Sequence, residues 1–224
     1  LDLEEGPATL PEIRSMVAGP LDQRTLKSVF TEALRTREGE ALSQEVREQL
    51  RAKLDERGDD LQALHALARK APGRFKFTYV QGPLVSYPDR DYYDTLSTLF
   101  AALEVLQAEI WLAAEDGDGA RAGEALLASI NMTEMLRDDP YHDNIRQRYL
   151  AHASVLRGLK QALSGCTFSD EMLAALYKAF QRAESPDSFR NGLIFWHKQV
   201  LTALDNLEHA NLYSAAAARG TLEE

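Results

Sequence analysis

The sequence predicts an all-α fold: stacked antiparallel helix pairs in an α-solenoid or repeat-like helical bundle. Three observations carry that reading. Apolar residues recur three and four positions apart through most of the chain. Ser, Thr, Asp and Pro stand where those runs begin, and Gly where many of them end. Polar turns of a few residues separate the runs, a spacing that makes neighbouring helices antiparallel.

Taken in order, Thr9-Leu10-Pro11-Glu12 has the form of a capping box with an early proline, opening a short helix to about Val17 that Gly19-Pro20 closes. Leu21, Leu26, Val29, Phe30 and Leu34 follow at helical spacing up to Gly39. Leu42, Val46, Leu50 and Leu54 form a narrow stripe four apart with charge on the other faces, which predicts a surface helix ending at Gly58. Asp60 caps a short helix carrying Leu61, Leu64 and Leu67. Residues 73–88 break the pattern. Phe75, Phe77 and Tyr79 alternate as in an extended segment, and Gly82, Pro83 and Pro88 make it irregular.

From Asp89 the strongest helix begins. Leu96, Leu99, Phe100, Leu103, Leu106 and Ile110 line one face, and alanines and valine cover much of the rest, as expected of a helix buried on all sides. The Glu115-Asp116-Gly117-Asp118-Gly119 turn leads into a helix from about Ala120 to Arg137, with Ala125, Leu126, Ile130, Met132 and Leu136 inward. Asp139-Pro140 opens the helix Tyr141–Leu163, whose inward residues read as Leu150, Val155, Leu156, Leu159 and Leu163, with Gly165 as its left-handed C-terminal residue. Ser169 caps Glu171–Glu184. Ser185-Pro186 opens a last helix with Phe189, Leu193, Ile194, Trp196, Val200, Leu201, Leu204 and Leu207, running to about Ala217. The expected organisation is one domain over 1–224: a partly extended segment 1–20, short helices 21–71, an aromatic-rich connection 72–88, and long helix pairs 89–217.

Composition narrows the function. The formal charge is −10, and each half of the chain contributes −5. No basic stripe is available to release counterions from a phosphate backbone, so nucleic acid is not an expected partner. Anionic membrane surfaces are disfavoured on the same ground. No uncharged run approaches the ~20 residues of a bilayer span. The chain begins at Leu1, which leads us to expect a preceding segment such as a removed signal or anchor.

Chemistry is sparse. None of the five histidines has Glu three residues before it, and none pairs with another four residues away, so di-iron and zincin patterns are missing and neither metal nor cofactor is expected. Counting from Asp116, a calcium loop would need acids where Ala120 and Leu127 stand. Cys166 is the single cysteine, excluding an intrachain disulfide. It lies near a helix N-terminus that could lower its pKa, though it reads more simply as a small half-buried residue. The clearest polar cluster is Tyr87, Asp89, Arg90, Asp91, Tyr92 and Tyr93, suited to sugar or peptide recognition, or else a helix cap whose tyrosines close the stack. A second set, Tyr141, His142, Arg146 and Tyr149 with His152, either lines a groove or lies along an amphipathic surface.

The 116–125 turn resembles the inter-helix turn of tetratricopeptide repeats. The succession Leu67-Ala68-Arg69, Arg74-Phe75-Lys76-Phe77, Glu115-Asp116-Gly117-Asp118, Met135-Leu136-Arg137-Asp138-Asp139-Pro140, Leu163-Ser164-Gly165 and Phe168-Ser169-Asp170-Glu171 resembles a family of uncharacterised bacterial all-helical proteins with an N-terminal hydrophobic anchor. The resemblance covers residues 20–205. It implies an all-α fold and an extracytoplasmic or periplasmic location, the alternative being cytoplasmic, and it transfers no catalytic residue. The expected function is a non-enzymatic protein or peptide interaction domain of the cell envelope. The alternative is a small-ligand or enzymatic site around residues 87–94. The sequence leaves the oligomeric state open.

Overall fold

A computed structural model describes residues 41–67, 79–81, 86–88, 90–137 and 142–183, with isolated helical positions between 190 and 204. The helices expected at 9–17 and 21–39, the caps at Asp89 and Asp139-Pro140, and most of the last helix lie outside the described residues. So do the side chains of residues 79–81, 86–88, 90–91 and 142–144.

The fold is all-α. Its helices are α1 (Gln44–Asp55), α2 (Gly58–Leu67), α3 (Arg90–Asp116), α4 (Gly119–Glu134), α5 (His142–Gly165) and α6 (Asp170–Ala183). A small antiparallel ladder of β1 (Tyr79–Gln81) and β2 (Ser86–Pro88), with Val80 opposite Tyr87, stands before α3. That ladder falls within the connection expected over 72–88; Phe75 and Phe77 of the aromatic alternation lie outside the described residues.

The helices form two rows. α1, α3 and α5 pack successively in one, and α2, α4 and α6 in the other, with α3 and α4 sharing the largest contact between rows. By length and hydropathy Tyr92–Asp116 would pass for a membrane span, yet 78% of its apolar window is buried inside the protein. It is the core helix of the stack. α4 is equally enclosed from Ala125 to Glu134. The α1 stripe behaves as expected, with Leu42, Val46, Leu50 and Leu54 all in the core.

Ser169 caps its helix as expected, whereas Asp60 lies in the first turn of α2, which opens at Gly58, the glycine expected to end the helix before it. The Ser43 hydroxyl accepts from Val46 N at 3.3 Å, Asp118 from Arg121 N at 3.0 Å, and Ser169 from Met172 N at 3.2 Å. α3 has no basic residue in its last turn. α1 supplies the complement to its carbonyl end instead. Arg47 donates to Glu115 O at 2.9 Å, and Arg51 to Asp116 Oδ1 at 2.9 Å.

The two turns at one end of the stack interlock. A Cβ on Gly119 would sit 2.1 Å from Thr167 O, and one on Gly165 would sit 2.3 Å from Ala114 O. Gly165 therefore ends α5 within the helix, required by close approach rather than by a left-handed backbone. The left-handed position among the described residues is Gly117, at φ +70°.

One expectation fails on α5. Leu150, Leu156 and Leu163 were expected inward, but they are 50%, 53% and 57% exposed. The face turned to α3 and α4 holds Arg148, Ala151, Val155, Gly158, Gln161 and Ala162. The reason is proximity. A Cβ on Gly158 would meet the Gln107 amide at 2.6 Å and Ile110 Cδ1 at 3.2 Å, so where α5 crosses α3 there is no room for a leucine. With its amide nitrogen toward Ser154 O (2.9 Å), Gln107 accepts from Trp111 Nε1 (3.1 Å) and Gly158 N (3.2 Å), which fixes α5 on α3.

Candidate functional site

Two ionic clusters lie within the stack. The first joins α2 to α3 and α4. Leu61 and Leu64 anchor α2 in the core. His65, one residue further, is thereby directed along the edge of the contact. Its Nε2 lies 2.5 Å from Glu109 Oε2 on α3, and its Nδ1 lies 2.9 Å from Glu124 Oε2 on α4. Arg121 Nε donates to the other oxygen of Glu109 at 2.9 Å. The Glu109 side chain is only 4% exposed, whereas Glu124 is 43% exposed.

A neutral imidazole has one N–H and one lone pair. It can donate to one carboxylate, and its lone pair then faces the other. Only the imidazolium donates to both. The hydrogen bond to Glu109 raises the His65 pKa, burial opposes it, and Glu124 adds to the rise. With its imidazole protonated, His65 joins Arg121 in setting two cations against two carboxylates. Beside it opens a cleft of about 400 Å³ lined by Leu61, Gln62, His65, Ala66, Glu109 and Glu124.

The second cluster surrounds Glu134 at the end of α4, whose side chain is 1% exposed. Arg148 of α5 donates to Glu134 Oε1 at 2.7 Å and to Ala183 O, at the end of α6, at 2.8 Å. Arg137 Nη1 lies 3.1 Å from Glu134 Oε2. His152 Nε2 lies 3.6 Å from Glu134 Oε1, close enough for an ion pair but too long for a hydrogen bond. Burial pushes the Glu134 carboxyl up, but His152 and the two arginines outweigh it, so its pKa is lowered. Arg182 on α6 donates to Asn131 at 3.2 Å. These contacts tie α4, α5 and α6 together.

The residues singled out from sequence are spread over several places. Tyr87 is in β2, and Arg90 and Asp91 open α3. Tyr92 is 1% exposed and belongs to the core. Its ring meets that of Tyr93 edge-on at 5.0 Å and 88°, with Tyr93 itself 60% exposed. Asp89 and Tyr141 lie outside the described residues. His142 opens α5. Arg146 and Tyr149 are exposed on its outer face, whereas His152 turns toward Glu134.

Among the described residues, no group of three His, Cys, Asp or Glu side chains is arranged to hold a metal ion. At His65 the reason is geometric, because its two nitrogens point at different carboxylates. Cys166 is not an activated thiol. Burial, and then Asp118, push its pKa up, and Sγ lies 3.5 Å from Ala113 O.

No protein-family model, curated protein or solved structure matches this chain.

Sequence reasoning missed the His65 cluster because its members lie far apart along the chain. One signal was present. Glu109 stands in the apolar run Leu103–Ala114 of a helix expected to be buried all round, where a carboxylate requires a partner.

Proposed function

We propose that the chain is a non-enzymatic scaffold that binds a protein or peptide through the outer face of α5, within a repeat-like stack of helix pairs. The supporting observation is the inverted amphipathicity of that helix. Tyr149, Leu156 and Leu163, seven residues apart, form one exposed stripe, and the small residues face inward. Leu173 and Tyr177 on α6 are exposed as well, at 44% and 64%. Contiguous exposed apolar side chains mark interaction surfaces more often than solvated ones. α5 packs on α3 and α4, and α6 packs on α4, so among the described residues the sides of α5 and α6 turned away from those helices are left open. The envelope location belongs to the same proposal and rests on the sequence resemblance. Fractionating cells that express the full gene product tests it.

The binding test uses a helical peptide with leucines at alternating three- and four-residue spacing and glutamines elsewhere. It should bind the wild-type chain and protect α5 amides from exchange. The Leu156→Glu/Leu163→Glu double variant, checked for folding by circular dichroism, should lose that binding. Equal binding by wild type and variant rejects this face.

A second reading, a small-ligand or enzymatic site, moves from residues 87–94 to the His65 cleft. It is favoured there by a buried carboxylate backing a histidine beside a cavity. A ligand screen followed by chemical-shift changes confined to residues 61–66, 109 and 124 would support it. No change at those positions would remove it.

A further inference from the structure

We infer that the partner of α5 is an amphipathic helix with an acidic rim, a conclusion that rests on the scaffold reading above. The argument begins with charge. The chain carries −10 overall, yet α5 holds Arg146, Arg148, Arg157 and Lys160 against one acid, Asp143. Arg148 is turned inward onto Glu134. Arg146 and Arg157 are exposed, on the same side of the helix as Tyr149 and Leu156. The surface is therefore a leucine and tyrosine stripe with a basic edge, on a chain that is acidic overall.

The stripe from Tyr149 to Leu163 runs about 21 Å at 1.5 Å per residue, the length of a four-turn partner helix. Its seven-residue spacing is that of a coiled-coil seam, which a partner helix with apolar residues three and four apart fills side by side. Charges flanking such a seam set the choice of partner, and here they select carboxylates.

The same charges disfavour two other occupants. In an antiparallel pairing of two copies centred on Leu156, Arg157 approaches its own equivalent across the two-fold axis, and like charges oppose there. The chain's own segment 186–217 mixes Asp187, Asp205 and Glu208 with Arg190 and Lys198, so it offers no continuous acidic edge.

The experiment compares three peptides that share the leucine pattern and differ in their flanking residues, Glu, Gln or Lys, each titrated into the full chain at low and high salt. The Glu peptide should bind about tenfold more tightly than the Gln peptide, and the Lys peptide more weakly than either. The margin should shrink as salt rises. The Arg146→Glu/Arg157→Glu variant should reverse the order, with the Lys peptide now binding best. Equal binding of all three peptides, or an order unchanged by the charge reversal, overturns the acidic partner while leaving α5 as a docking face. Failure of all three to bind overturns both. A dimer in light scattering that dissociates on Leu156→Glu substitution would assign the face to a second copy and overturn the inference as well.

Discussion

Replacing His65 by alanine should destabilise the protein in a way that depends on pH. As an imidazolium, His65 donates to Glu109 at 2.5 Å and to Glu124 at 2.9 Å. A hydrogen bond to a charged group contributes about 1.5–3 kcal/mol. The bond to Glu109 deserves the upper part of that range, because the carboxylate is nearly sealed from water. The bond to Glu124 is discounted, because that side chain is 43% exposed. His65→Ala should therefore cost about 3 kcal/mol where the imidazole is charged. Once the ring is neutral only one bond survives, and the cost should fall to about 1 kcal/mol. The sign follows from linkage. The folded pKa lies above the ordinary 6.5, so between the two values the native state holds more protons. The contribution is fully present below 6.5 and is lost as pH rises through the folded pKa. Urea unfolding of wild type and variant at steps from about pH 5.5 to about pH 9.5 gives the difference in stability at each pH, with other titrating groups largely cancelling. A difference that stays flat, or that grows with pH, would refute the two-sided imidazolium.

Three further outcomes test the packing. Glu134→Gln should cost about 3 kcal/mol, since it removes the buried carboxylate with which Arg148 and Arg137 pair. Because the Glu134 pKa is lowered, its contribution is present above the ordinary 4.5 and is lost as pH falls through the folded value, so the variant should show a shallower acid-unfolding limb by circular dichroism. Gly119→Ala should lower stability by about 2–3 kcal/mol through collision with the Thr167 carbonyl, whereas Gly58→Ala, with nothing within 4 Å, should be neutral or stabilising by up to about 1 kcal/mol in thermal melts. Leu126→Ala, at a fully buried site, should cost about 3–5 kcal/mol, and Leu156→Ala under about 1 kcal/mol in the same denaturant assay.

Most of the helical framework was legible in the sequence. Periodicity located α1 to α6, and cap chemistry at Ser169 fixed the start of α6 to within a residue, because those signals are local. The facing of α5 was not legible. Its leucines have the spacing of a core stripe, and periodicity cannot tell a stripe buried by its own chain from one reserved for another. What decides the matter is the close approach of Gly158 to Gln107 and Ile110, a contact between residues about fifty positions apart. The His65 cluster was hidden for the same reason. Glu109 betrays only that some partner exists, and the pairing with α2 arises when the stack assembles.

The interlocked glycine turns constrain how such a chain can change. With Gly119 against Thr167 and Gly165 against Ala114, the end of the stack at residues 114–119 and 165–168 has no space for added residues. A loop grafted there, or new termini cut there, would prise apart α3, α4 and α5 together. The α1–α2 turn around Gly58, where an added Cβ would meet nothing within 4 Å, takes no part in this lock. It is the place where a tag, a lengthened loop or a circular permutation should leave the core intact.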